Sequence, residues 1–241
     1  MSNALAIARR ELRSYFHSPI AYIFLGVFLA LGAVLLFVLS GFFIQGRATM
    51  RFYFDWAPLL FMVFAPAVTM RLIAEERRSR TIEVLLTLPV RDIDVVLGKF
   101  AGAMGLIAVG LVFTLAFPLS ISMIVSEGFS FDWGPVVGGY LGVLLMSASF
   151  VALGMWASAM TQDQVVAFIV GLLICMVSVF VGKVAILFPP SVADLVQYLS
   201  VSYHFESIAR GVIDTRDIVY FLSVIAIGLA LTTRALGNVR Q

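Results

Sequence analysis

The sequence predicts an all-α membrane protein with six transmembrane helices, and three observations point to it. First, 61% of its 241 residues are hydrophobic and 12% are charged, with a mean hydropathy of +1.05. A soluble domain is about one quarter charged, so this chain cannot cover itself with polar surface. Second, the apolar residues gather into six runs, near 20–44, 57–70, 100–125, 134–160, 165–188 and 218–236. A helix needs about 20 such residues to cross roughly 30 Å of hydrocarbon. Third, the charges are uneven: six of the sixteen Lys and Arg fall between Arg71 and Lys99.

Ahead of the first run, Leu5, Ala8, Leu12, Tyr15 and Phe16 recur at helical spacing, with Arg9, Arg10 and Arg13 largely on the other side. This is the pattern of an amphipathic elbow helix over 1–18, lying in the cytoplasmic interface and ended by Ser18-Pro19. It grips the bundle and faces a cytoplasmic partner, or it is a plain basic anchor. A cleaved leader has an apolar core of only about 7–15 residues. Here the run from Ser14 to Gly46 is broken only by His17, so it reads as an uncleaved first span.

The second run is short and lengthens outward through Phe52, Tyr53 and Phe54, which places Asp55 at the interface beside Trp56. Pro66 and Pro118 should bend their helices by removing a backbone donor. Gly98-x-x-x-Gly102 and Gly134-x-x-x-Gly138-x-x-x-Gly142 present small faces for close helix packing, in this chain or in a dimer. Eleven Lys and Arg fall on the side carrying both termini and the 71–99 loop, against Arg47, Arg51, Arg210 and Arg216 on the other. The basic excess places the termini and that loop in the cytoplasm.

Within the loop, Ser79 or Thr81 can cap a short helix, Glu83 suits its first turn and Pro89 stops it. Ile82, Leu85 and Leu86 then form an apolar ridge outside the bilayer. A solvated loop has no use for such a ridge, whereas a knob docking into a groove on a partner does.

Residues 189–217 are too many for a tight turn and too apolar for a free loop. Val192, Leu195, Val196 and Leu199, then Phe205, Ile208 and Ala209, suggest two short helices dipping back toward the outer leaflet. They carry His204, Glu206 and Arg210. Glu206 and Arg210 stand i, i+4 and are expected to form an ion pair, with a gate or substrate contact as the alternative. Lys183 is ionisable within a span, six residues or about 9 Å before Pro189, so it snorkels to the interface or serves function. Lys183, His204, Glu206 and Arg210 are therefore the outer gate or substrate candidates.

Several classes are excluded. The lone Cys175 supports neither a disulfide framework nor a metal site, and no basic stripe suits nucleic acid. There is no Gly-x-x-x-x-Gly-Lys-[Ser/Thr] loop, so this chain is not expected to bind nucleotide, and no His-Glu-x-x-His. Neither His17 nor His204 has a carboxylate at a spacing that makes a site, and Ser147, Ser149 and Ser158 read as packing residues. Without a mid-span Asp or Glu, a secondary transporter is disfavoured.

The pattern Glu75-Glu76-Arg77-Arg78-x-x-Thr81-Ile82-Glu83-x-Leu85-Leu86-x-x-Pro89-Val90, with Gly98-Lys99 opening the next span, resembles the coupling-helix region of ABC-2 type ABC transporter permease subunits. The elbow, six spans and both-ends-in layout are similar to that family too. Tyr198-Leu-Ser-x-x-Tyr203-His204-Phe205-Glu206, Arg210-Gly211 and Asp214 resemble its gliding-motility-associated branch. The resemblance implies contact with a cytoplasmic ATPase by Glu75, Glu76, Arg77, Arg78, Thr81, Ile82, Glu83, Leu85 and Leu86. It further implies two ATPase subunits, which bind the ATP and Mg, no cofactor in this chain, a second permease copy or a paralogue, and an auxiliary extracytoplasmic subunit. The setting would be a bacterial inner membrane. The expected function is coupling of ATP hydrolysis to export or movement of a substrate. The alternative is force on an extracytoplasmic partner with nothing transported.

Overall fold

The computed structural model describes residues 3–39, 49–79, 91–124, 131–212 and 214–237. Among them there is no strand, and six helices are long and apolar enough to cross a membrane: Ala21–Leu39, Arg51–Arg78, Asp92–Met123, Trp133–Met160, Gln164–Val184 and Thr215–Gly237. They are spans one to six. An N-terminal helix, Asn3–His17, precedes them, and two short helices, Pro190–Tyr198 and Val201–Ala209, join spans five and six. We call the end carrying the N-terminal helix basal and the end carrying the two short helices apical.

Spans two and four form the centre, being 61% and 67% buried against 22% for spans five and six. Small residues on one helix accept large ones on the next. Gly139 leaves room for the Phe54 ring, and a Cβ on Gly228 would stand 2.9 Å from the Ala152 backbone. Phe28 packs edge-on to Phe61 and Phe64, with ring centroids 5.4 and 5.3 Å away. Span two starts at Arg51, so the outward lengthening takes in Asp55, which is exposed.

Span three breaks at Leu115, between helices Asp92–Thr114 and Ala116–Ile124. Pro118 has no N–H to give the carbonyl four residues earlier, that of Thr114. The Tyr140 hydroxyl of span four donates to that carbonyl instead, at 2.8 Å.

Both glycine stripes are used within the chain. A Cβ on Gly98 would lie 2.7 Å from Ile7, and one on Gly102 2.6 Å from Glu11. The groove at the base of span three is thus filled lengthwise by the N-terminal helix and is closed to a second copy. Of that helix's apolar side, Leu12, Tyr15 and Phe16 pack half-buried against the core, and Leu5 is exposed. Gly138 and Gly142 in span four receive Ile208 and Phe205 of the second apical helix. The chain leaves this helix through Gly211, whose φ of +86° favours glycine and whose Cα lies against Gly138.

Candidate functional sites at the two ends of the bundle

At the basal end the regular helix of span two stops at Thr69, and a short stem helix, Ala74–Arg78, begins five residues later. Such a break leaves backbone donors and acceptors without helical partners. Ser158 of span four, fully buried, satisfies three of them. Its hydroxyl accepts from the Ile73 and Ala74 amides at 3.2 and 3.1 Å and donates to the Met70 carbonyl at 3.0 Å. A packing role does not describe it; Ser158 caps the break. The stem is fastened to span four once more, by the Arg77 guanidinium donating to the Ala159 carbonyl, and the break itself is tied to span five by Arg71 Nε donating to Gln164 Oε1 at 3.2 Å.

On its other side the stem meets the N-terminal helix through Lys99. This lysine is 2% exposed, and its Nζ lies 2.7 Å from Glu76 Oε1 and 3.0 Å from Glu11 Oε1. Burying an ammonium is costly unless it is paired, and two carboxylates from two other elements pair it. Arg10 adds a longer contact to Glu76, at 3.7 Å. The close approach at Gly98 and Gly102 is what brings Glu11 within reach. One turn on, Tyr15 donates its hydroxyl to the Val68 carbonyl at 2.9 Å, and burial pushes its phenol well above the usual range.

Of the residues expected to face a partner, Glu76 and Arg77 are wired into this junction, while Glu75 and Arg78 are exposed. Thr81, Ile82, Glu83, Leu85 and Leu86 lie outside the described residues. Sequence reasoning missed Glu11, Lys99, Ser158 and Gln164 as parts of the junction. A signal existed for Glu11, a lone acid on the side of its helix that carries Ala8, Leu12 and Tyr15.

At the apical end His204 is 1% exposed and, against the spacing argument, does have a carboxylate: Nδ1 lies 2.7 Å from Asp217 Oδ1. Thirteen residues separate the two in sequence, and the turn through Gly211 brings them together. Nε2 stands 2.8 Å from the Tyr198 carbonyl, which can only accept. The ring stacks on Tyr220 at 3.9 Å, and the Tyr220 hydroxyl donates to the Leu199 carbonyl at 2.7 Å. Both ring nitrogens are engaged, and the imidazole ties the second apical helix to span six.

Lys183, Glu206 and Arg210 share the lining of one cavity of about 580 Å³ between spans two, four and five, together with Arg51, Asp55 and Asp132. Lys183 is exposed, with Nζ 5.2 Å from the Phe180 ring centroid. The expected Glu206–Arg210 ion pair is not formed: Arg210 Nε donates to the Glu206 backbone carbonyl at 3.1 Å, leaving the carboxylate to face the cavity. The spacing was right for a contact, but the nearer backbone acceptor takes it. Of the four outer candidates, three therefore meet at a mixed-charge cavity and one is a buried tie. Among the described residues no group of three or more His, Cys, Asp or Glu could hold a metal ion.

The family described as ABC-2 family transporter protein matches residues 30–237 of this chain. No curated protein matches it.

Proposed function

Because the chain belongs to the ABC-2 transporter family and is a multi-pass membrane permease of that family, we propose that it transmits ATP hydrolysis by separate cytoplasmic ATPase subunits to movement of a substrate across a bacterial inner membrane. The basal end is then cytoplasmic, with both termini on that side. The segment after the stem, with Thr81, Ile82, Glu83, Leu85 and Leu86, seats in a groove of the ATPase, and exposed Glu75 and Arg78 flank it. Its apolar residues would anchor the contact and its charges would set register and choice of partner.

One observation carries this reading: the stem is fastened on both sides, to the N-terminal helix through Lys99 and to span four through Ser158. A push on the segment beyond Arg78 would therefore move spans two, three and four as a unit rather than bend a loose loop. ATP and Mg belong to the ATPase, and two ATPases serve a pair of permeases, either two copies of this chain or this chain and a paralogue. The apical cavity with Lys183, Glu206 and Arg210 is the proposed substrate or gate region, and an auxiliary extracytoplasmic subunit would meet that end, in line with the likeness of residues 198–214 to the gliding-motility branch.

The test is affinity purification from native membranes in mild detergent, with ATPase assays before and after Leu85→Asp. A co-purifying ATPase that is lost with the substitution supports the assignment. An ATPase that stays bound and active, or a chain that purifies alone, refutes the docking role and reopens ion-driven transport.

A further inference from the structure

Six charged side chains, three of each sign, border the apical cavity: Arg51, Lys183 and Arg210, with Asp55, Asp132 and Glu206. They come from four elements, the starts of spans two and four, the end of span five and the second apical helix. Those elements are tied together by groups other than the charges. The Ser200 and Ser202 hydroxyls, at the start of the second apical helix, donate to the Val179 carbonyl of span five at 3.3 and 3.2 Å. The same helix is seated on Gly138 and Gly142 of span four. None of the six charged groups forms an ion pair within 4 Å with another described residue. All six are exposed, so each can be satisfied singly by water. Opposite charges are therefore held apart around one space of about 580 Å³, a size within the roughly 300–1,000 Å³ of small-molecule sites.

We propose that this cavity takes a zwitterionic ligand, with an acid group and an ammonium on one small frame: Lys183 and Arg210 meet the acid, and Asp55 and Glu206 meet the ammonium. The proposal rests on the reading of the cavity as the substrate or gate region and names the class of ligand. The lining itself selects that class. A ligand of one sign would be drawn by three side chains and repelled by the other three. A ligand with both signs gains from both sets and breaks no ion pair on entering. Hydrocarbon or a sugar ring would need an open apolar or aromatic face. Phe54 and Phe205 are each 1% exposed, Val136 and Val179 are buried, and Leu59 and Phe131 are half-buried. The recognised chemistry is a phosphate or carboxylate a few bonds from an ammonium, whether on a lipid head or in a free molecule.

The test uses the full chain in mild detergent, with binding read by thermal unfolding and native mass spectrometry. One arm compares glycerophosphoethanolamine with glycerol phosphate and with ethanolamine, and the other compares phosphatidylethanolamine with phosphatidylglycerol. Two double variants unbalance the charge in opposite directions, Lys183→Gln with Arg210→Gln and Asp55→Asn with Glu206→Gln. All four side chains are exposed and outside any ion pair, so both variants should unfold normally without ligand. If either unfolds early, single Lys183→Gln and Glu206→Gln carry the same comparison. Wild type should bind the zwitterion about tenfold or more tightly than either singly charged fragment. The first variant should lose that advantage and favour ethanolamine, and the second should lose it and favour glycerol phosphate. A preference for the zwitterion in the lipid arm alone supports the class and assigns the ligand to the membrane; one in the soluble arm assigns it to a free molecule. No preference in either arm overturns the ligand class and leaves the cavity's role as a gate standing. The same preference in wild type and both variants puts the binding elsewhere and overturns the cavity as a substrate site.

Discussion

Lys99 shows how one side chain can hold three elements. Removing it leaves Glu11 and Glu76 charged and facing each other with side chains only 14% and 17% exposed. Breaking a buried pair in this way costs about 3–5 kcal/mol. Lys99→Ala should therefore lower the unfolding temperature in detergent by several degrees or more, and Arg9→Ala, outside the cluster, should not. An unchanged temperature for Lys99→Ala would mean that the cluster is solvated and contributes little. Ser158 acts on backbone rather than charge. In Ser158→Ala two amides and a carbonyl lose their partner, at about 1–3 kcal/mol, whereas Ser158→Thr keeps the hydroxyl. Hydrogen exchange at Ile73 and Ala74 should accelerate in the alanine variant alone.

At the scale of elements, both glycine stripes turn from an ambiguous motif into intramolecular grooves with known occupants. Gly102→Leu leaves no space for the Glu11 Cβ and should detach the N-terminal helix, exposing it to protease at a stability cost of about 1–3 kcal/mol. If the helix stayed protected, the groove would not be its seat. At the apical end Gly211→Ala meets a left-handed backbone, at φ +86°, while its Cβ would only touch the neighbouring Gly134–Pro135 backbone at ordinary contact distance. A penalty of about 1–2 kcal/mol is expected from the backbone alone. The same turn brings Asp217 to His204, so this substitution should loosen the second apical helix from span six, read as faster exchange across Val201–Ala209.

At the scale of the whole molecule, spans two and four make a shared centre and the basal junction joins it to the N-terminal helix and the stem. This gives the chain a packed path from one end to the other, which the proposed drive by a cytoplasmic ATPase would require. The basic excess at the basal end predicts that reporters fused at residues 3 and 241 are both active only when retained in the cytoplasm. A periplasmic signal from either would reverse the proposed orientation and with it the side on which an ATPase could dock.

The sequence by itself determined the fold class, the number of spans, the presence of two short helices between spans five and six and the family, because these follow from local hydropathy, helical period and contiguous motif. Periodicity also put Phe205 and Ile208 on one face of a helix, and the structure buries both. Only the tertiary structure decided what the polar residues do. Lys99 reads as the ordinary basic start of a span until Glu11 and Glu76, 88 and 23 residues away, are seen beside it. His204 lacks a carboxylate partner until the turn at Gly211 supplies Asp217, and Ser158 reads as packing until a break in another helix lies against it. A polar side chain's role is set by which donors, acceptors and charges its burial leaves within about 3 Å, and those arrive from segments that sequence spacing does not connect.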